Sequence, residues 1–113
     1  MSDHNPKILL LDMLDAINAI LVYSKEIDYS DYLEDRKTRD AIYRNIMILG
    51  EAAHRMTESF IIKHSQIEWR KMESTRNALV HGYDKIDDRI VWNIIQNILP
   101  VLKKQLETLK EQL

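Results

Sequence analysis

The sequence predicts an all-α fold, an antiparallel bundle of four to five helices. Apolar residues recur at three- and four-residue steps along every long segment, the signature of helices with one buried face. No run alternates apolar and polar residues as a half-buried strand would. Only two glycines and two prolines punctuate the 113 residues. That length supports one hydrophobic core and is short for two, so residues 1–113 are expected to form a single domain.

Asn5 suits the N-cap of a first helix and Pro6 its first turn. Leu10, Met13, Leu14, Ile17, Ile20 and Leu21 form its stripe, which predicts a helix to about Lys25. The segment "EIDYSDYLED" is a polar, aromatic connection with room for a short helical turn. A second helix is expected over roughly Asp35 to Phe60. Ile42, Ile46, Leu49, Ala53, Met56 and Phe60 follow one another at steps of four, three, four, three and four. Gly50 interrupts this helix. A mid-helix glycine costs about 1 kcal/mol against alanine, and its benefit is close approach by a neighbouring helix.

Ser65 and Glu68 have capping-box spacing, which predicts the start of a third helix. Ile67, Trp69, Met72, Leu79 and Val80 supply its apolar surface, and Gly82 fits a C-cap end. Asp87 can cap a fourth helix running through Ile90 to Leu109. Pro100 inside it removes the hydrogen bond to the carbonyl of Gln96 and predicts a kink. Apolar residues nearly surround this helix between Ile90 and Leu102, more than one core-facing stripe needs. Part of that surface is expected to meet a second subunit.

Composition narrows the function. There is no cysteine, which excludes disulfides, thiolate metal sites and cysteine nucleophiles. No signal-peptide pattern follows the polar N-terminus. The run "ILLL" from Ile8 to Leu11 stops at Asp12, far short of the ~18 apolar residues of a membrane span. A cytoplasmic protein without a membrane association is the expectation. The net charge is -2 and the isoelectric point about 6.1, unlike a general nucleic-acid binder, whose domain value exceeds ~9. "RKTRDAIYR", Arg36 to Arg44, reads first as a solvated helix face laced with ion pairs.

Few residues are arranged for chemistry. Glu51 and His54 form Glu-x-x-His, a spacing used in di-iron bundles, but such sites need two copies and two further glutamates. A pair beside the core stripe is the simpler expectation. His4 and His64 have no metal-ligand spacing, and glycine-rich phosphate loops are absent. No metal or other cofactor is expected. What remains is "RNALVHGY", with Arg76, Asn77, His81 and Tyr83. Five residues turn His81 about 140° from Arg76 on a regular helix, so one chain does not readily aim both at one atom. Unwinding at Gly82 could re-aim Tyr83 and His81, or a two-fold dimer could bring two helix ends together. A guanidinium grips phosphate through two hydrogen bonds, and an imidazole near neutrality moves protons. If no site existed, Arg76 would be expected to pair with Glu73 or Asp87.

The pattern resembles the HEPN superfamily, in particular the HepT-like toxins that pair with a minimal nucleotidyltransferase (MNT) antitoxin. Its marker is arginine, four residues, histidine, one residue, tyrosine, which Arg76, His81 and Tyr83 match without gaps. "LGEAAHRM", Trp69, "LEDRKTRDAIYRNI" and the last helix with Trp92 and Pro100 are similar too. A proline expected just before Trp69 is missing from "QIEW". The resemblance implies a metal-independent endoribonuclease acting as a homodimer. It implies that Arg76 holds the phosphate and His81 serves in acid-base transfer, with Asn77 in support. It implies an attack by the ribose 2′-oxygen that leaves a 2′,3′-cyclic phosphate. It further implies that Tyr83 receives AMP from the partner nucleotidyltransferase, which silences the toxin. The alternative is a non-catalytic module that docks a nucleotidyltransferase or a nucleotide. HEPN domains of that kind tend to lack the arginine–histidine pair, whereas the acidic isoelectric point favours them.

Overall fold

The computed structural model describes residues 5–81 and 86–113, with side chains throughout except those of Val80 and His81. The described residues hold no strand. Helix α1 (Pro6–Tyr23) begins where Asn5 Oδ1 accepts from the backbone N–H of Lys7 and Ile8, at 3.0 and 3.2 Å. It buries Leu10, Met13, Ile17 and Ile20 completely. Two residues short of the expected end it stops, with Glu26 beyond it in the left-handed region at φ 64°. The aromatic connection does hold a short helix, α2 (Tyr29–Glu34), closed by a reciprocal capping box between Asp28 and Asp31. Asp35 then caps α3 (Arg36–Arg55) through the Thr38 N–H, and the Thr38 hydroxyl also donates to it at 2.6 Å. That hydroxyl bond holds the Asp35 carboxyl below its ordinary range.

Helix α3 ends earlier than its apolar stripe predicts. Met56 and Thr57 are extended (ψ 137° and 148°), and a separate helix α4 (Glu58–Lys63) follows. Met56 is buried from this extended backbone, and Phe60 packs edge-on against Trp69 at 6.1 Å between ring centroids. Both residues therefore meet the core, but not as one helix. The expected capping box at Ser65 is not formed either. Residues 64–67 make a hydrogen-bonded turn, the Trp69 indole donates to the His64 carbonyl at 3.0 Å, and α5 (Trp69–His81) begins at the tryptophan. Glu68 thus precedes the helix instead of standing three residues inside it.

Asp87 caps α6 (Asp88–Asn93) as expected, through the Arg89 N–H. Ahead of Pro100 the chain widens into a π-turn (Ile94–Ile98), in which the Leu99 N–H donates to the Ile94 carbonyl. α7 (Leu99–Glu111) continues from it. A proline ring collides with the carbonyl four residues back in a regular helix, and a π-turn at that place alters the spacing. The four long layers are α1, α3, α5 and the composite α6–α7. α3 packs against both α1 and α5, and α7 closes on α1. One contiguous apolar core joins them.

Candidate functional site

Met72, Arg76 and Leu79 follow one another at helical spacing on α5, so the arginine lies on the face that Met72 and Leu79 bury against the core. Its approach to α3 depends on Gly50. A Cβ at that glycine would lie 2.2 Å from the Arg76 Cβ and 2.8 Å from the Met72 carbonyl oxygen. The close helix approach expected of Gly50 is therefore present, and the residue that occupies it is the motif arginine.

Arg76 is 19% exposed and pairs with neither Glu73 nor Asp87. Its Nη2 stands 3.6 Å from Glu51 Oε2. The other carboxylate oxygen of Glu51 accepts from Arg55 Nε at 3.1 Å, one helical turn along α3. Arg76 Nε is sealed from solvent with no hydrogen-bond partner among the described residues. Glu51 and His54 do not converge: His54 Nδ1 is 3.5 Å from Glu73 on α5, while Glu51 serves the arginines. Among the described residues no group of three or more histidines and carboxylates could hold a metal ion.

Arg76 and Glu51 line an open groove of about 580 Å³ between α1, α3 and α5. Arg44 and Arg55 add cations to it, Asp12 and Asp40 add carboxylates, and Leu9, Met47 and Ile48 add apolar wall. Three arginines thus face three acids, so the groove is mixed in charge. Of the basic run at its edge, Arg36 pairs with Asp40 and Arg39 donates to the carbonyls of Tyr32 and Leu33. Arg36 and Asp40 match the ion-paired face expected, whereas the partly buried Arg39 serves backbone carbonyls. Arg44 is exposed in the groove.

Asn77 is exposed one residue beyond Arg76, about 100° further round α5. The backbone of His81 ends α5. Arg76 and His81 thus share one helix, and the angular separation between their positions stands. The His81 side chain, Gly82 and Tyr83 lie outside the described residues, as do His4 and the expected C-cap. His64 packs its ring on Phe60 at 4.5 Å.

Two features near the site are not among those expected from the sequence. One is Glu51 as the partner of Arg76, although Gly50 marks where the helices touch. The other lies at the base of α6. The hydroxyls of Tyr32 (2.8 Å) and Tyr43 both donate to Asp88 Oδ1. Tyr32 is fully buried and packs at a tilt against Trp92, 5.1 Å between ring centroids. Burial, reinforced by the bond to Asp88, pushes the Tyr32 phenol far up and the Tyr43 phenol up to about 12. Tyr43 also lines the groove, so this contact ties the start of α6 to the groove wall.

Residues 13–109 match the profile of a protein family described as "Ribonuclease HepT-like". A protein of Thermococcus cleftensis named "Probable ribonuclease HepT" is 35% identical over 102 residues, 90% of this chain and 93% of its own. A "Putative RNase" of Methanocaldococcus jannaschii is 33% identical over 107 residues, 95% of this chain and 98% of its own. A second "Putative RNase" of that organism is 31% identical over 107 residues, 95% and 88% of the two chains. No solved structure matches.

Proposed function

Because the chain belongs to the ribonuclease HepT-like family of the HEPN superfamily, we propose that it is a metal-independent endoribonuclease built as a homodimer. Arg76 supports this reading best. It stands on the groove, held at its base by Gly50 and near its tip by Glu51, on the helix that His81 ends. A guanidinium so fixed is preorganised for a phosphate and for the charge that builds on it during transfer. His81 moves the protons, and Asn77 supports the site.

The ribose 2′-oxygen gives up its proton and attacks the adjacent phosphorus. The bond from phosphorus to the 5′-oxygen breaks, and that oxygen takes a proton as it leaves. The products are a 2′,3′-cyclic phosphate and a 5′-hydroxyl. One histidine must accept a proton and another donate one, or a single histidine must do both in turn. Two copies of α5 across a two-fold axis supply two, and they also overcome the separation of Arg76 and His81 along one helix. RNA should be cut in EDTA by the wild-type protein, and His81→Ala should lose about 10²- to 10⁴-fold in rate. Undiminished cutting by that variant rejects the role.

The proposal extends to regulation as the toxin of a two-gene, cytoplasmic toxin–antitoxin module. An MNT-type nucleotidyltransferase would attach AMP from ATP to the Tyr83 hydroxyl, releasing pyrophosphate. Negative phosphate beside Arg76 would compete with RNA for the same cation. Intact mass of protein co-expressed with an active nucleotidyltransferase partner should rise in steps of one AMP, and Tyr83→Phe should abolish the rise. A wild-type mass that never changes would reject the regulatory step.

One observation favours a second reading, a non-catalytic module that docks a nucleotidyltransferase or a nucleotide. The groove balances three arginines with three acids and so gives RNA little net attraction. A purified dimer that binds RNA and never cuts it would select that reading.

A further inference from the structure

We infer that Glu51 is a positioning residue for Arg76, and that it trades phosphate affinity for a fixed guanidinium. The inference rests on the ribonuclease reading and deepens it. Arginine has a long, freely rotating side chain, and a loose one must be ordered as substrate binds. Arg76 is restrained at two points. Its Cβ and Cγ fill the space that Gly50 leaves open, with no room for a larger residue there. Its tip is drawn to the carboxylate of the very next residue, Glu51, at 3.6 Å.

Glu51 is itself anchored. Oε1 accepts from Arg55 Nε at 3.1 Å within α3, which leaves Oε2 for Arg76. The contact to Arg76 is too long for a direct hydrogen bond. Glu51 therefore orients the guanidinium by charge and occupies none of its N–H donors with a direct hydrogen bond. Position and charge act in opposite directions here. The carboxylate holds the arginine in place, yet it repels an incoming phosphate across the same groove. Removing its charge should loosen the arginine and slow the reaction, and it should also strengthen, or at least not weaken, RNA binding. A merely structural ion pair would not divide its effect in this way.

The test measures kcat and KM of the full chain on an RNA oligonucleotide in EDTA, with a thermal melt of each variant. Glu51→Gln should lower kcat about tenfold while KM stays equal or falls, and the half-exposed site should leave the melting temperature nearly unchanged. Glu51→Asp keeps the charge on a shorter arm and should fall between. In an Arg76→Lys background, which has lost the planar fork, Glu51→Gln should cost less than about twofold more. Wild-type kcat in Glu51→Gln, a loss carried wholly by KM, or an equal loss in both backgrounds would each overturn the inference. If Arg76→Lys itself cuts RNA as well as wild type, the ribonuclease assignment of Arg76 falls and takes the inference with it. If Arg76→Lys is impaired and Glu51→Gln is not, the inference falls alone.

Discussion

At the scale of single residues the groove is organised by one missing methyl group. A Cβ on Gly50 would overlap the Arg76 Cβ at 2.2 Å and crowd the Met72 carbonyl at 2.8 Å. The obstacle is partly backbone, so a rotamer change alone does not relieve it. Gly50→Ala should push α5 away from α3 and destabilise the protein by about 1–3 kcal/mol, the usual range for overpacking. RNA cleavage should fall further than that loss of folded protein explains, because Arg76 moves with the helix. A urea titration alongside the cleavage assay checks both, and an alanine variant as stable and active as wild type would contradict the account. This close approach was legible in the sequence, since a glycine among good helix formers needs a reason. The identity of the approaching residue was not. Glu51 and Arg76 are far apart in the chain, and the acids nearer in sequence, Glu73 and Asp87, are the partners that spacing alone suggests.

Helices legible from spacing behave unevenly at their ends. α1 and α6 start at Asn5 and Asp87, where a side-chain oxygen marks the cap. The end of α3 carries no such mark. The stripe runs on through Met56 and Phe60, and neither glycine nor proline announces the break; only Thr57, followed by acidic Glu58, hints at a new start. Contacts between elements are less legible still. Tyr32 and Asp88 are 56 positions apart, yet their bond joins α2 to α6, and Tyr43 brings α3 to the same carboxylate. This bridge gives the protein a specific alkaline weakness. Burial and the hydrogen bond to Asp88 keep both phenols protonated in the folded state above their ordinary value of about 10. The unfolded chain releases those protons first, so the contribution is full below pH ~10 and declines as pH rises from there toward 12. Thermal melts between pH 9 and 12 should show a steeper fall for wild type than for the double variant Tyr32→Phe, Tyr43→Phe. Parallel curves would mean that the bridge does not carry the linkage.

For the whole molecule, the all-α bundle was readable because its stripes are long and regular. What a single chain leaves over is informative as well. Ile90 and Val101 of the last helix remain 59% and 58% exposed, in the region whose apolar residues outnumber the needs of one core. Ile8, Leu11, Met47 and Ile48 are also exposed, on the α1 and α3 side of the molecule. Such surface is consistent with the proposed two-fold assembly, in which Arg76 and His81 from two copies complete one cleft. No helix among the described residues is long and apolar enough to cross a membrane. The central claim is chemical, and it is tested most directly by the ends of the RNA fragments produced in EDTA. A 2′-oxygen attack guided by Arg76 and His81 predicts a 2′,3′-cyclic phosphate facing a 5′-hydroxyl, with no product from Arg76→Ala or His81→Ala. Fragments that end in a 3′-hydroxyl and a 5′-phosphate, or the same cyclic product at full rate from either variant, would contradict it.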